Sequence, residues 1–213
     1  VYLSRKSGKS RQRMQREERN LEQDGTVRVD HLSGGEIDES VLGRLDAIQS
    51  RSWQQRRYGV APVGEPWEGA RHLAMAKAGL AEVFILRVGD ADSAFILNYR
   101  HGEAAYAMLT AFVESHGPRS PGKYLWRRVI CAVLDRGDAR YDLLLGNAEY
   151  KRFWGNQTDH VLRWCAHRGV RGWLLSWAPH RMDAYLARHP ALRARLRAGL
   201  RLLRVPIERQ ILR

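Results

Sequence analysis

Residues 82–113 read EVFILRVGDADSAFILNYRHGEAAYAMLTAFV. Three β-rich runs, 82–89, 93–99 and 104–113, are separated by Gly89-Asp90-Ala91-Asp92 and by His101-Gly102. Gly and Asp at those points let the chain reverse within a few residues, so the stretch predicts a three-strand antiparallel meander. On both sides the apolar period becomes helical. Upstream, a polar leading segment carries Met14 and Leu21 seven residues apart and stops at Gly25. A short strand is expected over 26–32, a loop at Ser33-Gly34-Gly35, and helices over 36–58 and 67–80, parted by the proline-bearing stretch 59–66. Downstream, 115–123 reads as a loop and 123–136 as a helix through Leu125, Val129, Ala132 and Val133. A mostly apolar strand over 141–145 is expected to be central in the sheet, followed by a short helix over 147–154 and a further strand over 159–166. Helices around a meander with later added strands give an α+β fold, with a mixed, largely antiparallel sheet flanked by helices.

The chain has 213 residues, 36 of them Lys or Arg against 23 Asp or Glu, for a net charge of +13. That excess is uneven. Residues 1–162 hold 24 basic and 21 acidic groups, whereas 163–213 hold 12 and two. The charge therefore suggests an anionic partner for the end of the chain only, nucleic acid or an anionic membrane through residues 181–213. Leu186, Leu192, Leu196, Leu200 and Leu203 alternate there with arginines, so the segment reads equally as an amphipathic helix packing its leucines on the protein. We expect a domain over 1–178, with a leading polar helix over 1–25, and a basic helical tail over 179–213.

Two cysteines, Cys131 and Cys165, exclude a disulfide-rich scaffold, and no His or Cys spacing predicts a metal site. With no apolar run of membrane-spanning length and no signal peptide, the expected location is cytoplasmic. The opening at Val1, within a polar stretch, reads as a processed start or as a fragment of a longer protein.

Two segments carry the chemistry. Arg119-Ser120-Pro121-Gly122-Lys123 lies where the third meander strand passes into a helix. Gly122 permits close backbone approach, Pro121 suits a first helical turn, Ser120 can cap, and Arg119 and Lys123 add charge, which together would hold a diphosphate. An ordinary helix start has the same composition. The second segment, 141–155, reads YDLLLGNAEYKRFWG. Asp142 and Glu149 could serve as bases, while Tyr150 and Lys151 could polarise a substrate; equally, Tyr150, Phe153 and Trp154 could simply pack a core.

The spacing of SPGK, a helix, and YDLLLGNAEYKRFWG resembles the GNAT-type acyltransferase domain of the CelD/BcsL family of cellulose and exopolysaccharide biosynthesis, over most of residues 4–173. More distantly, the YK-x-x-W-G stretch is similar to the Fem aminoacyl transferases, which use aminoacyl-tRNA. The resemblance implies a GNAT-like fold using acetyl-CoA or another acyl-CoA. Phe112 and Val113 would lie beside the pantetheine, and Arg119, Ser120, Pro121, Gly122, Lys123, Tyr124 and Leu125 at the pyrophosphate. Asp142, Glu149, Tyr150 and Lys151 would stand on the side of an amine acceptor, such as an amino sugar. Asn147 departs from the family's usual Asp, and members usually carry a related preceding half, which a second copy in a homodimer could replace. Two alternatives follow: a Fem-like transferase, or a non-catalytic module binding nucleic acid or membrane through its tail.

Overall fold

The computed structural model describes residues 2–162. Residues up to Asn156 form one unit; Gln157 begins another, of which 157–162 run without regular structure. The tail over 179–213 and most of the strand expected over 159–166 lie outside the described residues.

Five strands, β1 (Val27–Ser33), β2 (Ala81–Val88), β3 (Ala91–His101), β4 (Ala104–Phe112) and β5 (Arg140–Asp142), form one sheet in the order β1-β2-β3-β4-β5. The first four are antiparallel neighbours, and β5 lies parallel to β4. The meander is thus observed as read. β2 and β3 are buried over most of their length because both faces are covered, whereas β4 is mostly half-buried. Helices α2 (Glu39–Ser50), α3 (Trp53–Tyr58) and α4 (Pro66–Lys77) come between β1 and β2. Leu45 and Ile48 of α2 pack with Val83, Ile85, Phe95 and Leu97 on one face. On the other, α1 (Gly8–Glu22) and α5 (Pro121–Asp135) set Met14, Leu21, Leu125, Val129 and Val133 against Phe84, Leu86 and Ile96, joined by Trp154 of α6 (Glu149–Trp154). Each fully buried Leu or Ile of these layers contributes about 1.5–3 kcal/mol of transfer free energy.

Three readings of the sequence change. The helix expected over 36–58 is two helices. Ser52 is extended (φ −87°, ψ 156°); its hydroxyl donates to Gln49 O (2.7 Å) and accepts from Gln55 N (3.2 Å), closing α2 and capping α3 at once. The stretch 115–123 contains a 3-10 helix, Glu114–Arg119, before α5 begins. The strand expected to be central over 141–145 is a three-residue strand last in the sheet among the described residues. Asp142 Oδ1 accepts from Leu144 N (2.7 Å), Leu144 turns left-handed (φ 60°), and Leu145 emerges 74% exposed. The Asp142 turn overrides the apolar run that follows it.

Candidate active site

The sheet opens beside β4. Strands β4 and β5 pair only through Ala104–Arg140, Ala105–Tyr141 and Tyr106–Asp142. Beyond Tyr106, β4 has no strand on that side among the described residues. Val113 N–H donates inward to Ser93 O (2.9 Å), so by strand alternation Thr110 and Phe112 direct their N–H and C=O groups to the open edge. A bulge between Leu97 and Asn98 of β3 leaves Met108 of β4 as the extra residue, out of register just where the strands part.

The closed end of this wedge is fixed by buried polar groups. Tyr141 Oη donates to Asn98 Oδ1 (2.9 Å), and Asn98 Nδ2 donates to Glu82 Oε1 (3.0 Å). Glu82 also meets Arg136 Nη1 (2.6 Å) and His31 Nε2 (3.1 Å). Burial pushes the Glu82 carboxyl up, but the hydrogen bonds from His31, Arg136 and Asn98 outweigh it and hold the group at about 2. Burial drives the Tyr141 phenol well above its ordinary range, so it stays a donor. Glu82, Asn98 and Tyr141 come from β2, β3 and β5, and so tie the short last strand back across the sheet.

The mouth of the wedge meets the start of α5. Ser120 is left-handed (φ 57°), Pro121 occupies the first turn, and both Lys123 N–H (3.0 Å) and Tyr124 N–H (3.2 Å) turn back to Ser120 O. The hydroxyl of Ser120 does not cap, so no side chain satisfies the first amides of α5 there. Gly122 N–H is then the first-turn amide left without an acceptor among the described residues. A Cβ on Gly122 would lie 3.2 Å from Phe112 Cδ1, so any side chain there makes the Phe112 ring give by a few tenths of an ångström where strand end and helix start close on each other.

The structure brings together most residues expected at the cofactor. Phe112 closes on Gly122, and the charged Arg119 and Lys123 flank it. Val113, Pro121 and Leu125 are buried in the layers instead, Val113 on the opposite face from Phe112. Tyr124 is half-buried, its ring 5.4 Å from the Arg127 guanidinium, and burial raises its pKa. Both flanking cations are already paired with α1 or its end. Arg119 lies 3.0 Å from Asp24 and Lys123 lies 3.4 Å from Glu17, while Arg127 lies 2.7 Å from Glu18.

The residues expected on the acceptor side cluster where β5 passes into α6. Asp142 ends β5 beside the point of divergence and pairs with Arg140 (2.7 Å). Glu149 is exposed in the first turn of α6. Tyr150 packs on Trp126 with ring centroids 5.3 Å apart, and burial raises its pKa. Lys151 Nζ donates to Leu144 O (3.3 Å) and Leu145 O (2.5 Å), clasping the loop; burial lowers its pKa and Asp142 partly offsets this. Tyr150 and Trp154 thus pack a core, as the plainer reading of this segment had it, but Phe153, grouped with them there, is exposed.

Sequence reasoning missed two features of this region. Gln54 of α3 donates from Nε2 to Thr110 O (3.3 Å) on the open edge, and its Oε1 is buried without a partner among the described residues. The Glu82 network was missed too, although a carboxylate leading the run EVFILRV was its visible signal. An open cavity of about 550 Å³ lies elsewhere, between α2 and the β2–β3 turn. Its Arg44 is already held by Asp92 (2.8 Å) and Asp30 (3.0 Å), and it shares no residue with the wedge.

Comparison with curated proteins finds no match. Among solved structures the chain is similar to an aminoglycoside acetyltransferase, meta-AAC0020, from an uncultured soil metagenomic sample (11% identity, 67% of this chain and 97% of that one, TM-score 0.48). It is similar also to the ribosomal-protein-S18-alanine N-acetyltransferase of Escherichia coli (15% identity, 69% and 87%, TM-score 0.48). The acetyltransferase (GNAT) domain family matches residues 8–152, a span running from α1 through the wedge and the α5 start into α6. The chain belongs to the acetyltransferase (GNAT) domain family and is an acyl-CoA-dependent enzyme.

Proposed function

We propose that this chain is an N-acyltransferase that moves an acyl group, acetyl in the first instance, from acyl-CoA to an amine, with an amino sugar or polysaccharide precursor as the acceptor class. The observation that carries the reading is the open edge of β4 running directly into the start of α5. An extended pantetheine arm matches a strand edge, and a diphosphate matches a helix start with an unpaired N–H and flanking cations. The residues present fit that group: Thr110 and Phe112 at the edge, then Gly122, Arg119 and Lys123.

Acyl-CoA supplies a thioester carbonyl. The acceptor nitrogen attacks its carbon; the new C–N bond forms as the C–S bond breaks, and sulfur leaves as thiolate. The N–H of the bulged Met108 is our candidate for stabilising the developing oxyanion, since the bulge frees it from regular pairing beside the divergence. The acceptor-side residues sort by chemistry. Asp142 and Glu149 supply negative charge for an ammonium acceptor and take up its proton, directly or through water. Tyr150, kept protonated by burial, suits return of a proton to the thiolate. Lys151 holds the loop that joins Asp142 to Glu149 and Tyr150.

Thermal shift with acetyl-CoA, together with CoA release in the presence of amines and amino sugars, tests the reading. Stabilisation plus acceptor-dependent release supports it; neither effect across the panel overturns it.

A further inference from the structure

Gln54 sits on α3, outside every segment assigned above to acyl transfer, yet it reaches the open edge of β4. The Thr110 carbonyl can only accept, so the Gln54 amide must present Nε2 to it, which fixes the amide's orientation at 3.3 Å. Its Oε1 is then buried and unpartnered among the described residues. Two contacts hold this corner near the edge: on α3, Arg56 Nη2 lies 2.5 Å from Glu114 Oε1, and just ahead of α3 the Arg51 carbonyl accepts from Glu114 N–H (2.9 Å). A primary amide is therefore laid on an outward strand carbonyl, two residues beyond the bulge, by a long bond that satisfies half of its polar atoms.

We propose that Gln54 is a self-ligand of the cleft: its side-chain amide occupies, in the free enzyme, the strand-edge position that an amide of the cosubstrate's pantetheine arm takes, and it withdraws when cosubstrate binds. This rests on the reading of the β4 edge as the acyl-CoA site. The bond Gln54 makes, N–H to Thr110 O, is the bond a pantetheine amide would make as an added strand. Its other end is what a ligand contact would not be. The orphaned Oε1 is closed to solvent in this conformation, so it offers no acceptor to an arriving group and regains hydrogen bonds only when the side chain swings out. Gln54 thus competes with cosubstrate and keeps the edge filled in its absence.

The test compares CoA with adenosine 3′,5′-diphosphate, which has the nucleotide and lacks the pantetheine arm. Both are titrated calorimetrically into wild-type protein, Gln54→Leu and Gln54→Met. The proposal expects CoA to bind either variant about 2- to 10-fold more tightly than wild type, the weight of one modest hydrogen bond, with nucleotide affinity unchanged. Unchanged or weaker CoA binding, or an equal change for both ligands, overturns it. Wild-type protein that binds no CoA removes the parent reading and this one with it. In unmutated protein, the Gln54 side-chain NH2 resonances should move to solvent-exposed values on adding CoA; resonances that stay in place overturn the proposal whatever the variants do.

Discussion

Lys123, the cation at the start of α5, lies 3.4 Å from Glu17 on α1, so a group suited to a phosphate is held in advance by a carboxylate. Arg119 repeats the relationship with Asp24 at 3.0 Å. Carboxylates on α1 and just past its end therefore already face the cations at and just ahead of the α5 start, and Glu17 is shared with Arg13 of its own helix (3.0 Å).

Replacing Glu17 with Gln and Asp24 with Asn together should cost no more than about 2 kcal/mol, because the Arg119–Asp24 pair is exposed and Gln keeps the shape of the mostly buried Glu17 against Arg13 and Lys123. It should strengthen CoA binding, most clearly at low salt, where the released cations are least screened. Calorimetric titration at two ionic strengths checks this. Weaker binding in the double variant would mean that the acidic residues position the cations rather than compete for them.

Gly122→Glu should abolish CoA binding, since a side chain there starts 3.2 Å from Phe112 and brings negative charge to the phosphate side. Gly122→Ala should fold and bind more weakly, as Phe112 gives by a few tenths of an ångström. Circular dichroism and thermal shift separate lost binding from lost folding, and full binding by Gly122→Glu would place the cofactor elsewhere.

Lys151→Met should lower activity by loosening the loop whose carbonyls it clasps, leaving the shape of the pH–rate profile unchanged; Lys151→Arg should recover much of the loss. A profile that loses its basic limb in Lys151→Met would instead give the lysine a proton-transfer role.

Glu82 makes stability depend on acid. Its carboxyl titrates at about 2 in the folded chain against an ordinary 4.5, so the folded state binds protons less readily than the unfolded one. The stabilisation is fully present above about pH 4.5 and is lost as pH falls through 4.5 toward 2. Its size is on the order of 3 kcal/mol. Urea unfolding of wild type and Glu82→Gln should differ by about that amount at pH 7, and the difference should shrink as pH falls below 4.5 and close only near pH 2. Parallel pH curves would detach the effect from this carboxylate.

The elements written in local pattern were legible. Gly89-Asp90 and His101-Gly102 fixed the meander, and Pro121-Gly122 after β4 marked the strand-to-helix junction. Features depending on one polar contact were not. Ser52 divides an apolar helical stripe because its hydroxyl serves two helices, a role no period reveals. Asp142 ends β5 against the pull of three leucines. The Met108 bulge lies in an unbroken Ala-Met-Leu run, with no glycine to announce it. Contacts distant in sequence were the least visible: Glu82 meets Arg136 54 positions away, and Gln54 reaches Thr110 across 56.

Because β5 leaves β4 after three residue pairs, the stretch 107–112 keeps a row of backbone groups that any extended peptide could match. Catalysis by this route would then share its footing with self-association. An edge that neither Gln54 nor cosubstrate covers is a template for the strand of another molecule, and a covered one is not.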